Sequence, residues 1–303
     1  KYDITPWWPI LLPFGVLLII YQLKQFYNSP LSFRYWIALG ITVGFFCNMH
    51  FQFVFIGAFV ALFITIKLGK QLWHYWIHLL LMFCSFIVMF IPLIIFDLRH
   101  NHLNYSLFTT YFEERVFDDL PYMEAWQPVL SNLLKPFTWT TQPVTSIIFL
   151  IGLTIIFLSH AYKTQGFKKT FYISSALLLL TTIIGFSLYG RRPSEYYFTY
   201  LLPFIYLGLS ELLTYLNKQY ITCVILIYLV GINIVELKNC INEDPFSLYY
   251  MDAAVQKIIP YAEGKRVNVS YDMPPGFNNG YDYLIDYYKI NRTGDPNDPL
   301  IEM

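Results

Sequence analysis

A chain of 303 residues in which 56% of side chains are apolar, 20% aromatic and only 13% charged falls well short of the charge content of a soluble domain, where about a quarter of residues are charged. That composition excludes an ordinary globular enzyme and fits an α-helical polytopic membrane protein. Twenty basic residues balance twenty acidic ones, so there is no basic arm to neutralise phosphates, and nucleic acid is excluded as a partner. Cys47, Cys84, Cys223 and Cys240 are widely spaced, three of them in apolar runs, and give neither a disulfide framework nor a CxxC metal pattern. The chain opens on Lys1 without signal-peptide architecture, and a C-terminal fragment of a longer protein is expected.

Residues 7–23 are the first apolar segment, with Trp7 and Trp8 placed as interfacial aromatics. Residues 24–34 form a polar loop broken by Asn28-Ser29-Pro30. Residues 35–66 are too long for one ordinary span and break at Asn48-Met49-His50-Phe51-Gln52, which predicts two short helices, 35–47 and 53–66. Polar groups at such a break line a cavity rather than face lipid. After a basic loop at 67–73, residues 76–96 reach the roughly 20 apolar residues that cross a bilayer, with a tolerable kink at Pro92.

That run ends in Phe96-Asp97-Leu98-Arg99-His100-Asn101-His102, a tight ionisable cluster beside a membrane-length segment, and the rest of the chain reads as a scaffold deciding which side it faces. Residues 97–142 are a polar connection far beyond ordinary loop length, with an amphipathic surface helix predicted over 105–117. Further spans are predicted at 145–162, 171–189, 196–215 and 220–237, making about eight membrane segments, two of them short, in residues 1–237. Residues 238–303 are polar, with a helix at 248–259, a strand at 266–271 and a helix at 281–289. They read as a small extracytoplasmic α/β appendage, expected to be incomplete.

Basic residues concentrate on the cytoplasmic side of membrane proteins. Placing residues 24–34 there sends Lys67 and Lys70, Lys163, Lys168 and Lys169, and Lys218 to the same side, and those four loops hold no Asp or Glu. The His50 break, the Asp97–His102 cluster and the Arg191–Glu195 loop then share the outer face of a multi-pass plasma (inner) membrane protein.

Arginine's planar fork matches phosphate oxygens and stays charged, so Arg99, Arg191 and Arg192 are candidates for holding the phosphate of a lipid whose tail stays in the bilayer. Interfacial anchoring against lipid headgroups competes with that role. Asp97 is the candidate general base, against a simple pairing with Arg99. His50 is a candidate substrate contact, against an inter-helix hydrogen bond. His100 and His102 beside Asp97 resemble metal ligands only superficially, because their spacing suits a strand and the spot reads as a helix end; neither metal nor cofactor is expected. Glu211, within a span near its cytoplasmic end, is accounted for by snorkelling. Gly-rich phosphate loops, GxSxG and HExxH are absent.

Phe45-Phe46-Cys47-Asn48-Met49-His50-Phe51-Gln52 resembles the helix–His–helix break of bacterial polytopic glycosyltransferases of the GT-C class, the broad group of protein O-mannosyltransferases and the lipid A aminoarabinose transferase. Residues Pro92 to Asn101 look like the P…FxLRH exit of those proteins, and Tyr196-Tyr197-Phe198 through Leu202-Pro203-Phe204 is similar to their late YY…P span. The resemblance covers most of the chain through short, degenerate motifs. It implies transfer of a sugar from a polyprenyl-phosphate carrier to a glycan, lipid or protein acceptor on the outer face, among membrane lipids. It also implies that the main catalytic acid lies in a first outer loop upstream of Lys1. The implied site is Asp97 as catalytic group, with His50, Arg99, His100, Arg191, Arg192 and Tyr196 against the lipid phosphate. Two other classes compete: a transporter or flippase for a lipid-linked or anionic solute, and a non-catalytic membrane assembly protein. Inverted repeats would mark the transporter, and no repeat relates the two halves.

Overall fold

The structure is a computed structural model that describes residues 11–106, 109, 126–138, 142–189, 193–216, 219–243, 248–262, 265–270, 279–293 and 299–302. It is dominated by helix and divides into two units, Lys1–Asn233 and Ile234–Met303. The boundary falls inside one helix, a few residues before the point at which the sequence turns polar.

The first unit is a helical bundle. Helix α1 (Leu12–Asn28) buries Leu12, Gly15, Val16, Ile19, Leu23 and Phe26, a stripe at intervals of three and four that faces the core. Helix α2 (Phe33–Met49) runs back along it, with Gln22 donating to Thr42 Oγ1 at 2.8 Å and Phe26 edge-on to Trp36 at 5.0 Å. A 3-10 turn (Phe51–Phe53) leads to α3 (Val54–Leu68), as the polar break at 48–52 predicts. A second 3-10 turn (Gly69–Tyr75) leads to α4 (Trp76–Val88).

The run at 76–96 is not one helix. It stops at Val88 and restarts as α5 (Ile91–Arg99), with Pro92 in the first turn of the new helix. Proline has no N–H for the carbonyl four residues back, and its ring collides with that carbonyl. The disruption therefore falls at Val88–Phe90, on the N-terminal side of Pro92. Ser85 is the one buried residue of α4, and α5 has none, so this predicted centrepiece lies on the outside of the bundle.

Helices α6 (Trp126–Leu133) and α7 (Lys135–Thr138) are short. They precede α8 (Pro143–Lys163), which opens on a proline, and α9 (Gly166–Tyr189). The span predicted at 196–215 begins instead as a 3-10 turn (Glu195–Leu201) and becomes α10 (Leu202–Leu216). Helix α11 (Gln219–Glu243) follows. Most of the amphipathic helix predicted over 105–117 lies outside the described residues.

Among the described residues, three apolar stretches, Phe51–Val88, Pro143–Lys163 and Gly166–Leu188, have the length and composition to cross a membrane. The first contains both α3 and α4. Apolar side chains at the surface of these helices, such as Ile148 at 67% and Ile184 at 57% exposure, suit contact with lipid rather than water. Cys47, Cys84 and Cys223 are free thiols.

The acid-free loops meet at one end of the bundle. Lys67 Nζ sits 3.7 Å over the Tyr27 ring, Tyr27 meets Phe167 at 5.9 Å, and Lys163 Nζ lies 5.0 Å over Tyr215. The opposite end gathers the 48–53 turn, the α4–α5 break and the 195–201 turn.

The second unit has its own small core of Met251, Val255, Leu284 and Ile285, between α12 (Leu248–Ala262) and α13 (Asn279–Tyr287). Strands β1 (Asn268–Ser270) and β2 (Leu300–Glu302) pair in parallel. The Tyr288 hydroxyl and Gln256 amide both donate to Asp252, each at 2.7 Å, and Arg292 bridges Asp282 and Asp286.

Helices α2 and α4 approach closely enough for glycine to meet backbone. A methyl group at Gly40 would collide with the Ser85 hydroxyl and Met82 carbonyl, and one at Gly44 would lie 2.7 Å from the Phe86 carbonyl and 3.0 Å from Met89 Cβ. Backbone leaves little room to give, so Gly40→Ala is expected to cost about 1–3 kcal/mol by overpacking. Gly152, with nothing nearby, is the control. Gly152→Ala should be neutral or gain about 1 kcal/mol of helix propensity. Thermal unfolding in detergent, followed by tryptophan fluorescence, separates the two.

Candidate functional site

The 48–53 turn is built from its own side chains. Helix α2 ends where His50 turns extended, its N–H still bonded to Phe46 O at 2.9 Å. Asn48 Nδ2 donates back to Gly44 O at 3.0 Å and across to Met89 O at 3.1 Å. The second bond satisfies a carbonyl at the α4–α5 break, where helical partners run out. Phe45, Asn48, Met49, Met89 and Pro92 line a cavity of about 380 Å³ at this junction.

His50 turns towards the 195–201 turn. Its ring lies 5.7 Å from that of Tyr196 and 5.6 Å from that of Tyr197, both edge-on, and the two tyrosine rings meet at 4.6 Å. His50 Nδ1 and the neighbouring Gln52 Oε1 are buried without a hydrogen-bond partner among the described residues. His50 lies in the turn, outside both flanking helices, and burial there pulls its pKa down to about 4. It is a neutral imidazole at physiological pH, able to accept or donate one hydrogen bond but not to supply a positive charge.

Asp97 is engaged by its own turn. Its Oδ1 accepts from Asn104 N at 2.6 Å and Tyr105 N at 3.3 Å, and Oδ2 lies 3.7 Å from His102 Nδ1. Asn101 and His102 sit at φ 54° and 59°, in the left-handed region that Asn and His adopt more readily than most residues. The Asp97 carbonyl, bonded by His102 N at 2.8 Å, helps to hold it. Asp97 is thus the cap of a tight turn, and its contacts with described residues all lie within 97–105. The expected alternative, a pair with Arg99, does not form.

Arg99 is exposed at the C-terminal end of α5, where a cation complements the helix dipole. His100 is turned onto its own helix, with Nδ1 2.7 Å from Phe96 O and its ring stacked on Phe96 at 4.0 Å. Arg191 and Arg192 lie outside the described residues. The chain after them is fixed to α6 and α7: Asn132 Nδ2 donates to Pro193 O at 3.0 Å, and Lys135 Nζ lies 3.6 Å from Glu195 Oε2.

Of the sequence-predicted residues, His50 and Tyr196 are therefore brought together, while Asp97 and His100 are occupied locally. Tyr197, Asn48 and the Lys135–Glu195 pair join the site. Tyr197 was legible as the second half of the Tyr-Tyr pair, and Asn48 as part of the polar break; nothing local marks Lys135 and Glu195 as partners. No group of three His, Cys, Asp or Glu able to hold a metal occurs among the described residues. No protein-family profile matches the chain, and no curated protein or solved structure matches it.

Burial of His50 makes stability depend on pH. The folded pKa lies below the unfolded value of about 6.5, so as pH falls from about 6.5 towards about 4 the unfolded chain takes up a proton that the folded site refuses. Stability is present above that window and lost within it. His50→Gln should flatten this acid limb of the unfolding midpoint. An unchanged acid limb would show that His50 is not its source.

Proposed function

We propose that the chain is a carrier-binding membrane glycosyltransferase of the GT-C type, with about eight membrane segments and its polar site on the extracytoplasmic face of the plasma membrane. It takes a sugar from a polyprenyl-phosphate donor. The observation that carries this reading is the meeting of three separated motifs at one end of the bundle. Asn48, in the helix–His–helix break, holds the carbonyl of Met89 at the head of the P…FxLRH stretch, and His50 meets Tyr196 and Tyr197 of the YY…P stretch. The apolar cavity beside Asn48 and Pro92 suits an isoprenoid tail.

In this reading Arg99 and the Arg191–Arg192 loop meet the phosphate, His50 and Tyr196 position the donor by neutral hydrogen bonds, and Asp97 shapes the turn that presents Arg99. Departure of a phosphate needs cations where charge develops.

The test is photolabelling with a photoactivatable polyprenyl phosphate, beside transfer from a labelled polyprenyl-phosphate sugar in membranes. Arg99→Ala and Arg191→Ala are expected to weaken labelling about tenfold or more, the size of a lost charge-assisted hydrogen bond. Gly152→Ala should leave it intact. Labelling unchanged in both arginine variants sinks the site. Solute flux in proteoliposomes without transfer from several carriers would replace the enzyme by the transporter reading.

A further inference from the structure

At the end of the bundle opposite His50, three ionisable side chains from three apolar helices converge: His160 on α8, Tyr172 on α9 and Glu211 on α10. The Tyr172 hydroxyl donates to Glu211 Oε1. His160 Nε2 lies 3.3 Å from Glu211 Oε2, and Nδ1 of the same ring lies 3.0 Å from Ile156 O. Glu211 is therefore an inter-helix ligand, not the snorkelling side chain its position suggests.

The hydrogens can be counted. A backbone carbonyl only accepts, so Nδ1 carries a hydrogen. An imidazole protonated at Nδ1 presents a lone pair at Nε2 unless the ring is a cation, and a carboxylate oxygen presents lone pairs as well. The tyrosine hydrogen is already committed to the other carboxylate oxygen. The contact at 3.3 Å therefore requires one further proton, held as imidazolium facing carboxylate or as neutral imidazole facing carboxylic acid.

We propose that His160, Glu211 and Tyr172 form a proton-binding site whose proton ties α8 to α10. When that proton leaves to water, a lone pair faces a full negative charge across the contact, and the two helices lose their polar link. Side-chain exposures of 21% for His160 and 31% for Glu211 leave a path for exchange. Ionisable groups within membrane segments are costly and mark ion or proton handling more often than anchoring.

The surrounding charges do not substitute for the proton. On α8, Lys163 is exposed and directed over Tyr215 of α10. Lys168 and Lys169 on α9 and Lys24 on α1 are exposed, and Lys67 on α3 is held over Tyr27 of α1. Helix α6 carries no ionisable residue, and Glu195, Tyr196, Tyr197 and Tyr200 of the 195–201 turn belong to the opposite end. Among the described residues no other ionisable side chain pairs with His160 or Glu211. The site stands independently of the glycosyl-transfer reading.

The experiment is thermal unfolding of the whole chain in detergent from about pH 5 to about pH 9, the range a histidine pair reaches. Wild type is expected to lose about 2–4 °C as the proton leaves. In Glu211→Gln the amide oxygen can accept from Tyr172 and the amide nitrogen can donate to the His160 Nε2 lone pair, so the α8–α10 link no longer needs a shared proton. Its midpoint should not fall as pH rises through the wild-type transition. Glu211→Ala should sit low at every pH, and Tyr172→Phe should be lower than wild type with the pH slope kept. A wild-type slope in Glu211→Gln, or a Glu211→Ala profile equal to wild type, overturns the proposal. Should Glu211→Gln not fold, His160→Gln also bridges to the carboxylate without a titrating proton, and the same two outcomes decide.

Discussion

The backbone approach of α2 and α4 is the contact on which the His50 end of the bundle depends. Helices in lipid gain nothing from burying apolar surface against each other, so they associate through close packing and polar contacts. Gly40 and Gly44, one turn apart, let α2 come to rest on the backbone of α4 near Met82, Phe86 and Met89. That registry brings Asn48 level with the carbonyl left at the α4–α5 break, and Asn48 supplies the missing donor. With α2 fixed in this way, the extended residue that follows its last turn is His50, and His50 arrives beside Tyr196 and Tyr197. Glycine spacing, a proline four residues past a helix end and one amide side chain thus account for where the polar turn sits.

Much of this bundle can be read from the chain because periodicity and punctuation agree. Residues 48–52 interrupt an apolar run with Asn, His and Gln, and α2 and α3 end and begin there. The lysines of 67–73 and 163–169 separate helices as the polar residues suggest. What escapes is what has no local mark. The run 76–96 contains no polar residue near Met89, because the effect of Pro92 is felt several residues upstream. The turn at 195–201 is rich in tyrosine and phenylalanine, which reads as a span when only hydropathy is counted. Hydropathy also says nothing of facing, so α4 and α5, the most apolar stretch beside charge, prove to be peripheral.

The site is less legible than the fold for a related reason. Asp97 takes its hydrogen bonds from backbone N–H groups a few residues on, and a sequence shows no backbone partners. Glu211 draws its partners from two other helices, and no spacing in the chain joins residue 211 to residues 160 and 172. Conversely, His50 and Tyr196 could be grouped in advance, because each stands in a short motif with its own character.

Charge decides which groups at the His50 end can meet an anion. His50 is buried between tyrosine rings and held neutral, so it contributes no positive field, and His100 is folded back on Phe96. Asp97 is negative, but its charge is spread over N–H donors of the 101–105 turn and the facing His102, which lessens its repulsion of an approaching phosphate. Lys135 is matched by Glu195. Among the described residues at this end, Arg99, exposed on the last turn of α5, is then the cation free of an acidic partner. On the proposed reading, an anionic headgroup at this face falls to Arg99, with the neutral histidine and the tyrosines left to orient whatever the phosphate carries.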